Sequence, residues 1–404
     1  MNKIILLISV SGSYIGGAQK RYLSLFDFIC EKRKDYYLVI NKKLYLALIK
    51  NNVLKSYENV RVLTLYGESK LNTENNSSDS KQEILIKKNK KVSGIRLFFG
   101  QKKMFLKSIR IWITFIFEFR GILKELKSKI VYAVWMGGIF AWPLKGLFKF
   151  KLIYSYNDSA MAMIDKNIFE LFNSSEYRVL KHADKIDFLS PAIVDMYKRK
   201  IGSIGDDRIT VTPNSFINYK FYFSDEQKKN DVIFLSRLWQ NKNPILFLQS
   251  VKLFNEKYHD ITGINFYISG EGELEEDIKN YIDNYKLVNT YFVGKTLEPW
   301  KYLRQSKVFI SIQSANNYPS QSLIEAMACE NAIIASDVGE TGKLVTENEG
   351  ILVSLNPESI AEAIYKLFTT EGLIEKLGAN ARKKVIENQT VEKYAEYFYS
   401  ITDY

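Results

Sequence analysis

The feature that most constrains this chain is a short apolar run followed by a turn and a helix signal, repeated through both halves. IILLIS (4–9) leads into Gly12, Gly16 and Gly17 and then a helical stretch from about Ala18 to Cys30; YYLVI (36–40) and VRVLTL (60–65) are further strand candidates. After the turn signal TPNSF (212–216) and the polar stretch SDEQKKND the series resumes. It runs VIFLS (232–236), a helix from Pro244, INFYIS (264–269), a helix from about Leu274, TYFVG (290–294), VFISI (308–312), a helix around Ser322–Cys329 and AIIAS (332–336). Strands alternating with helices predict parallel sheets covered by helices, an α/β architecture. With 404 residues, 46% of them apolar, there is material for about two such domains. The reading is two Rossmann-like halves joined around 214–228: an N-terminal domain over 1–215, a C-terminal domain over 216–390, and a last helix in 391–404 (VEKYAEYFYSI) returning toward the first half.

Disorder and a disulfide-stapled mini-fold are both excluded as descriptions of the whole. Cys30 and Cys329 require no oxidising compartment. The start reads as a buried strand rather than a signal peptide, and no run of about 18 apolar residues is present to span a bilayer. His182 and His259 are the only histidines, and no zinc signature, Asp-x-Asp pair or GxxxxGK[ST] loop occurs, so neither a metal nor a resident cofactor is expected.

The 57 Lys and Arg against 45 Asp and Glu give a net charge of +12, which favours an anionic partner. Placement of the charge narrows the choice. Within 87–120, the bases Lys87, Lys88, Lys90, Lys91, Arg96, Lys102, Lys103, Lys107 and Arg110 follow one another with no acid between them, interleaved with Ile95, Leu97, Phe98, Phe99, Met104, Phe105 and Leu106. WPLKGLFKFK (142–151) repeats the mixture. A basic, aromatic-rich surface suits an anionic membrane, where apolar area and charge act together; a core helix with a solvated basic face is the alternative. No nucleic-acid-binding module accompanies the charge, so nucleic acid is not expected as a partner. Oligomeric state is open.

The strongest local signal is FLSRLWQNKNP (234–244). Arg237 follows an apolar strand, Lys242 comes five positions later, and Asn243-Pro244 suits a helix start. Two cations and a helix amino terminus converge where open α/β sheets bind ligands, an arrangement suited to a diphosphate. In SANNYPSQSLIEAMACE (314–330), a polar turn from Asn316 to Ser322 leads into a helix headed by Glu325, a carboxylate able to accept from a vicinal diol such as a ribose. Each feature alone also has a bland reading, as solvated side chains or a dipole-complementing Glu.

In order along the chain, GGAQKR (16–21), HADKIDFLS, TPNSF, SRLWQNK, ISGEGELEE (268–276), YFVGKT (291–296) and YPSQSLIEAMACENAIIASDVGE (318–340) resemble the retaining glycosyltransferases of family four. That resemblance implies the GT-B fold, two Rossmann-like domains facing each other across a deep cleft. It implies a nucleotide-diphosphate sugar as donor, with Arg237 and Lys242 on the diphosphate and Glu325 on the ribose. Gly16 and Gly17 would let backbone approach the distal phosphate, Gly294 and Lys295 would lie near the base, and Ser320, Gln321, Ser322 and Leu323 would present backbone amides. The family's first Glu, eight residues before the second, is Asn317 here; its Gly after AMAC is Glu330 and its Pro two residues later is Ala332. The activity implied is retaining, metal-independent transfer to a saccharide acceptor in cell-surface polysaccharide synthesis. With the basic stretch, it implies a lipid-linked acceptor and a cytoplasmic enzyme peripheral at the inner face of the membrane. A soluble acceptor and a catalytically silent nucleotide-sugar-binding subunit stay open beside it.

Overall fold

The computed structural model describes residues 3–9, 17–51, 58–64, 112–156, 175–201, 205–212, 222, 227–316, 318 and 320–403. Gly16, Asn317 and most of the basic stretch 87–120 lie outside them. The chain divides into two compact units, Met1–Val211 with Ser400–Tyr404, and Thr212–Tyr399.

In the first unit, β1 (Ile4–Ser9), β2 (Tyr36–Asn41), β3 (Val60–Leu63), β4 (Ile130–Val134), β5 (Lys151–Tyr156), β6 (Lys185–Phe188) and β7 (Ile209–Val211) form one parallel sheet in the order 3-2-1-4-5-6-7. In the second, β8 (Lys229–Leu235), β9 (Asn265–Ser269), β10 (Thr290–Gly294), β11 (Ser306–Ser311), β12 (Ala332–Ser336) and β13 (Gly350–Val353) form another, in the order 10-9-8-11-12-13. Helices cover both faces of such a sheet, so its strands read as near-continuous apolar runs; all five residues of β12, AIIAS, are buried.

Each order reverses once, between β1 and β4 in the first sheet and between β8 and β11 in the second. Connections leave in opposite directions there, opening a crevice at the strands' carboxyl ends, which is where open α/β sheets bind ligands.

The chain at 112–120, read as part of a membrane-facing surface, belongs to a helix over 112–126. Phe115 and Phe119 stack at 5.0 Å inside the core of the first unit, whereas Trp112, Ile113 and Phe117 are exposed. The second such segment is split likewise: Leu144 and Phe150 are buried and Leu147 is exposed. Both cysteines are buried and free, and burial pushes each thiol up to about 12, so neither is a thiolate near neutrality. No helix among the described residues is long and apolar enough to cross a membrane.

Candidate functional site

The second unit's reversal point carries the site. Two glycines hold the loop after β8 against the loop after β9. A Cβ on Gly270 would come 1.9 Å from the Ser236 carbonyl oxygen, and one on Gly272 would come 2.5 Å from that of Leu238. Only a bare backbone passes this closely, which is the physical content of the GEG motif. Backbone hydrogen bonds complete the seam: Ser236 N–H to Ser269 O, Leu238 N–H to Glu271 O, and Leu274 N–H to Leu238 O. Arg237 projects from this seam, exposed, its guanidinium over the Trp239 ring at 4.3 Å.

Lys242 ends a short 3-10 turn (Gln240–Lys242) and is buried. Its ammonium donates to Gln313 Oε1 at 3.1 Å, across the β8/β11 boundary. Gln313 is fixed in turn by Ser336, whose hydroxyl accepts from Gln313 N–H and donates to Gln313 O, both at 2.9 Å. Asn243 does not cap the next helix with its side chain, as the sequence suggested. It adopts a left-handed conformation (φ 55°) and its amide donates to Ile312 O, while Pro244 opens the helix Pro244–Lys257.

Lys242 is also not the permanent cation its sequence suggests. Burial, and behind it the nearby Arg237 charge, lowers its pKa from 10.5 to about 8. The ligand-free site therefore holds two mutually repelling cations, one of them desolvated, and an anion between them relieves both terms. Two opposite pH dependences follow. Affinity for an anion at this pair should be flat below about pH 8 and fall by up to about tenfold per unit above it, because the anion binds the protonated amine. Stability of the free protein should rise between pH 8 and 10.5: there the unfolded chain still holds the Lys242 proton that the folded chain has lost. Binding and urea titrations across that range check both, and Lys242→Met should flatten both.

The other predicted residues of the second unit lie where β10 and β11 end and in the helix that follows β11. Ser320 precedes the helix Gln321–Ala328 without a side-chain cap bond, so Gln321, Ser322 and Leu323 supply the first-turn N–H groups that no helical carbonyl reaches. The Leu323 side chain itself is core. Glu325 lies in the second turn rather than heading the helix, and it is buried, with Gln321 Nε2 at 3.4 Å. Sequence reasoning missed its other neighbour, Tyr222. Burial and then the Glu325 charge hold the Tyr222 phenol well above its ordinary pKa, so it stays protonated and donates to that carboxylate. Gly294 has φ 68°, a left-handed turn, and Lys295 pairs with Glu271 at 2.6 Å, tying the end of β10 to the glycine loop. Asn316 accepts from Tyr318 N–H and Glu340 N–H, and Gly339 (φ 61°) makes room for it.

In the first unit Gly17 opens the helix Gly17–Lys32 after β1. Beside it in the topology, the residue after β4 is Trp135, with φ 45° and ψ −113° and an indole 40% exposed. A bulky residue rarely adopts positive φ, and such strain concentrates at functional positions. The turn is held by Gly138 N–H donating to Trp135 O and by Gly137 and Gly138, where Cβ atoms would crowd Leu7 and Tyr154. In the sequence, the WMGG string (135–138) is the signal for this turn. Among the described residues no cluster of three or more His, Cys, Asp or Glu has metal-binding geometry.

Residues 217–384 match the profile of the family described as glycosyl transferases group 1. The poly(ribitol-phosphate) alpha-N-acetylglucosaminyltransferase of Staphylococcus aureus (strain COL) is 25% identical over 231 residues, 56% of this chain and 45% of that protein. The GalNAc-alpha-(1->4)-GalNAc-alpha-(1->3)-diNAcBac-PP-undecaprenol alpha-1,4-N-acetyl-D-galactosaminyltransferase of Campylobacter jejuni is 24% identical over 180 residues, 44% of this chain and 49% of its own length. The chain thus spans about half the length of these curated relatives. The crystal structure of Anabaena HepE in complex with UDP-glucose superposes with a TM-score of 0.71 at 13% identity, covering 99% of each chain.

Proposed function

We propose, from the premise that the C-terminal unit belongs to the glycosyl transferases group 1 family and that the fold is of the GT-B class, that this chain is a retaining glycosyltransferase. The donor is a nucleotide-diphosphate sugar. The single observation that carries the reading is the desolvated Lys242 beside Arg237 at the reversal point of the second sheet, a charge arrangement completed by a diphosphate. The complex of HepE with UDP-glucose supports a UDP-sugar among the candidates.

In the proposed reaction the bond between the anomeric carbon and the diphosphate oxygen breaks while Arg237 and Lys242 neutralise the charge left on that oxygen. The acceptor hydroxyl attacks from the same face, its proton passes to the departing phosphate oxygen, and configuration is retained. No side-chain base and no metal enters these steps. First-turn amides of Gln321, Ser322 and Leu323 add donors near the anion, and Glu325, oriented by Tyr222, accepts from the ribose. By the resemblance, backbone at Gly16 and Gly17 would approach the distal phosphate, and Asn317 takes the sequence position of the resembling family's first Glu.

The acceptor is a saccharide on a lipid carrier at the inner face of the membrane. The names of the two relatives, acting on a poly(ribitol phosphate) and on an undecaprenol-linked glycan, support an acceptor of cell-surface type. The exposed Trp135 offers it an aromatic face; Trp135→Ala should raise the acceptor KM about tenfold, the equivalent of about 1.4 kcal/mol, and leave nucleotide binding unchanged. The test of the function is transfer from UDP-, GDP-, ADP- and dTDP-sugars to undecaprenyl-linked glycans, read by NMR at the new anomeric centre. An axial-to-axial or equatorial-to-equatorial outcome supports retention, and inversion refutes it. Asn317 favours one second reading, a nucleotide-sugar-binding subunit without turnover: there the nucleotide binds, yet neither transfer nor donor hydrolysis is seen.

A further inference from the structure

At the end of the first sheet opposite Gly17, four adjacent strands are each entered through a lysine. Lys3 precedes β1, Lys129 precedes β4, Lys151 is the first residue of β5 and Lys185 the first of β6. Backbone bonds join three of these strand entries: Lys129 N–H donates to Lys3 O and Lys151 N–H to Lys129 O. The register sets Lys151 opposite Ile130 and Lys185 opposite Ile153, so Lys151 and Lys185 share one face of the sheet and Lys3 and Lys129 the other. Lys185 feels its neighbour, since burial and then Lys151 lower its pKa.

A concavity of about 570 Å³ opens on this edge, lined by Trp142, Lys145, Lys149, Lys151, Phe150 and His182. Its wall is the Trp142 indole, stacked on the His182 ring at 4.8 Å with an interplanar angle of 6°. The wall is built in: Lys145 is anchored to Asp184 Oδ1 and His182 O, each at 2.7 Å, and Asp184 also accepts from Leu152 N–H. Lys149, held in a left-handed turn, and Lys151 stand exposed at the rim.

We infer that this edge is a binding site for an anionic glycan, taking a sugar ring against the Trp142–His182 wall and its phosphodiester or other anionic groups on Lys149 and Lys151 at the rim. Three observations favour this ligand. The aromatic plane and the cations are adjacent, as a sugar phosphate requires and a bare phosphate does not. The site is concave, with room for a sugar and its phosphate, whereas a bilayer is flat, and Leu147 is an exposed large apolar side chain beside it. Finally, the site and Gly17 lie at opposite ends of strands about 16–20 Å long, so one ligand serving both must be extended. That this polymer is also the transfer acceptor rests on the proposed function; that it binds does not.

The test measures binding of fluorescent synthetic poly(glycerol phosphate) to the full chain with no donor present. Lys149→Gln combined with Lys151→Gln should weaken binding at least about tenfold and reduce its salt dependence by about two ions. Nucleotide protection against unfolding should be unchanged in that variant. Unchanged polymer affinity in it overturns the assignment, as does equal binding of neutral dextran. Binding of phosphatidylcholine vesicles containing phosphatidylglycerol through the same lysines, without polymer binding, replaces the glycan by a membrane surface. Loss of transfer with polymer binding intact would count against the enzymatic reading alone.

Discussion

Arg237→Ala and Lys242→Ala should each reduce kcat by about 10²–10³-fold in a protein that stays folded. The reason is the timing of the charge. A diphosphate gains negative charge at its leaving oxygen only as the glycosidic bond breaks, so donors aimed there stabilise the transition state more than the ground state. Arg237 is exposed and its removal takes little packing with it. Lys242 is buried, but its amine is already destabilised as a cation, so alanine relieves that cost while leaving Gln313 Oε1 without this donor. The double variant should lose less than the product of the singles, because both side chains act on one diphosphate. Steady-state kinetics with saturating donor separates this from a simple affinity loss: kcat must fall, and a change confined to KM would assign these cations to uniform binding.

Gly270→Ala should be the most destabilising substitution of the second unit's loops. The added Cβ would lie 1.9 Å from the Ser236 carbonyl oxygen, where φ is 154°. Overpacking against backbone costs about 1–3 kcal/mol and the disfavoured conformation about 1–3 kcal/mol more, so a total above about 3 kcal/mol is expected. Gly263→Ala is the control. It also has positive φ (78°) but nothing within 4 Å of the new Cβ, so it should cost only about 1 kcal/mol. Urea unfolding of the two variants compares them directly, and equal losses would mean that the seam between the β8 and β9 loops yields freely. A partly folded Gly270→Ala protein should also lose nucleotide binding, since Arg237 projects from that seam.

The strands of the second sheet were legible because parallel strands buried on both faces leave unbroken apolar runs, and AIIAS and VIFLS announce themselves. SRLWQNK was legible because Arg237 and Lys242 sit on one short loop. What escaped was non-local. Gln313 meets Lys242 from another strand, and Tyr222 meets Glu325 from the linker, so no spacing rule joins them. KLIYSY does not stand out as a strand because WPLKGLFKFK, running into it, carries a membrane-like signature that the fold divides between core and surface. Glu330 is instructive in another way. It stands where the resembling family has Gly, and its φ is 58°: the turn demands the left-handed conformation, and a side chain that reaches Arg382 adopts it. The sequence shows the substitution, whereas only the backbone shows that the turn persists.

The account stands on an anion held between Arg237 and Lys242, and thermal unfolding with nucleotides measures it most directly. At least one of UDP, GDP, ADP and dTDP should raise the Tm of the wild-type chain, growing with concentration as RT ln(1 + [L]/Kd). The corresponding monophosphate should do so far less, and the gain should vanish in Arg237→Ala and Lys242→Ala. Equal protection of both variants, or no protection by any nucleoside diphosphate, would contradict it.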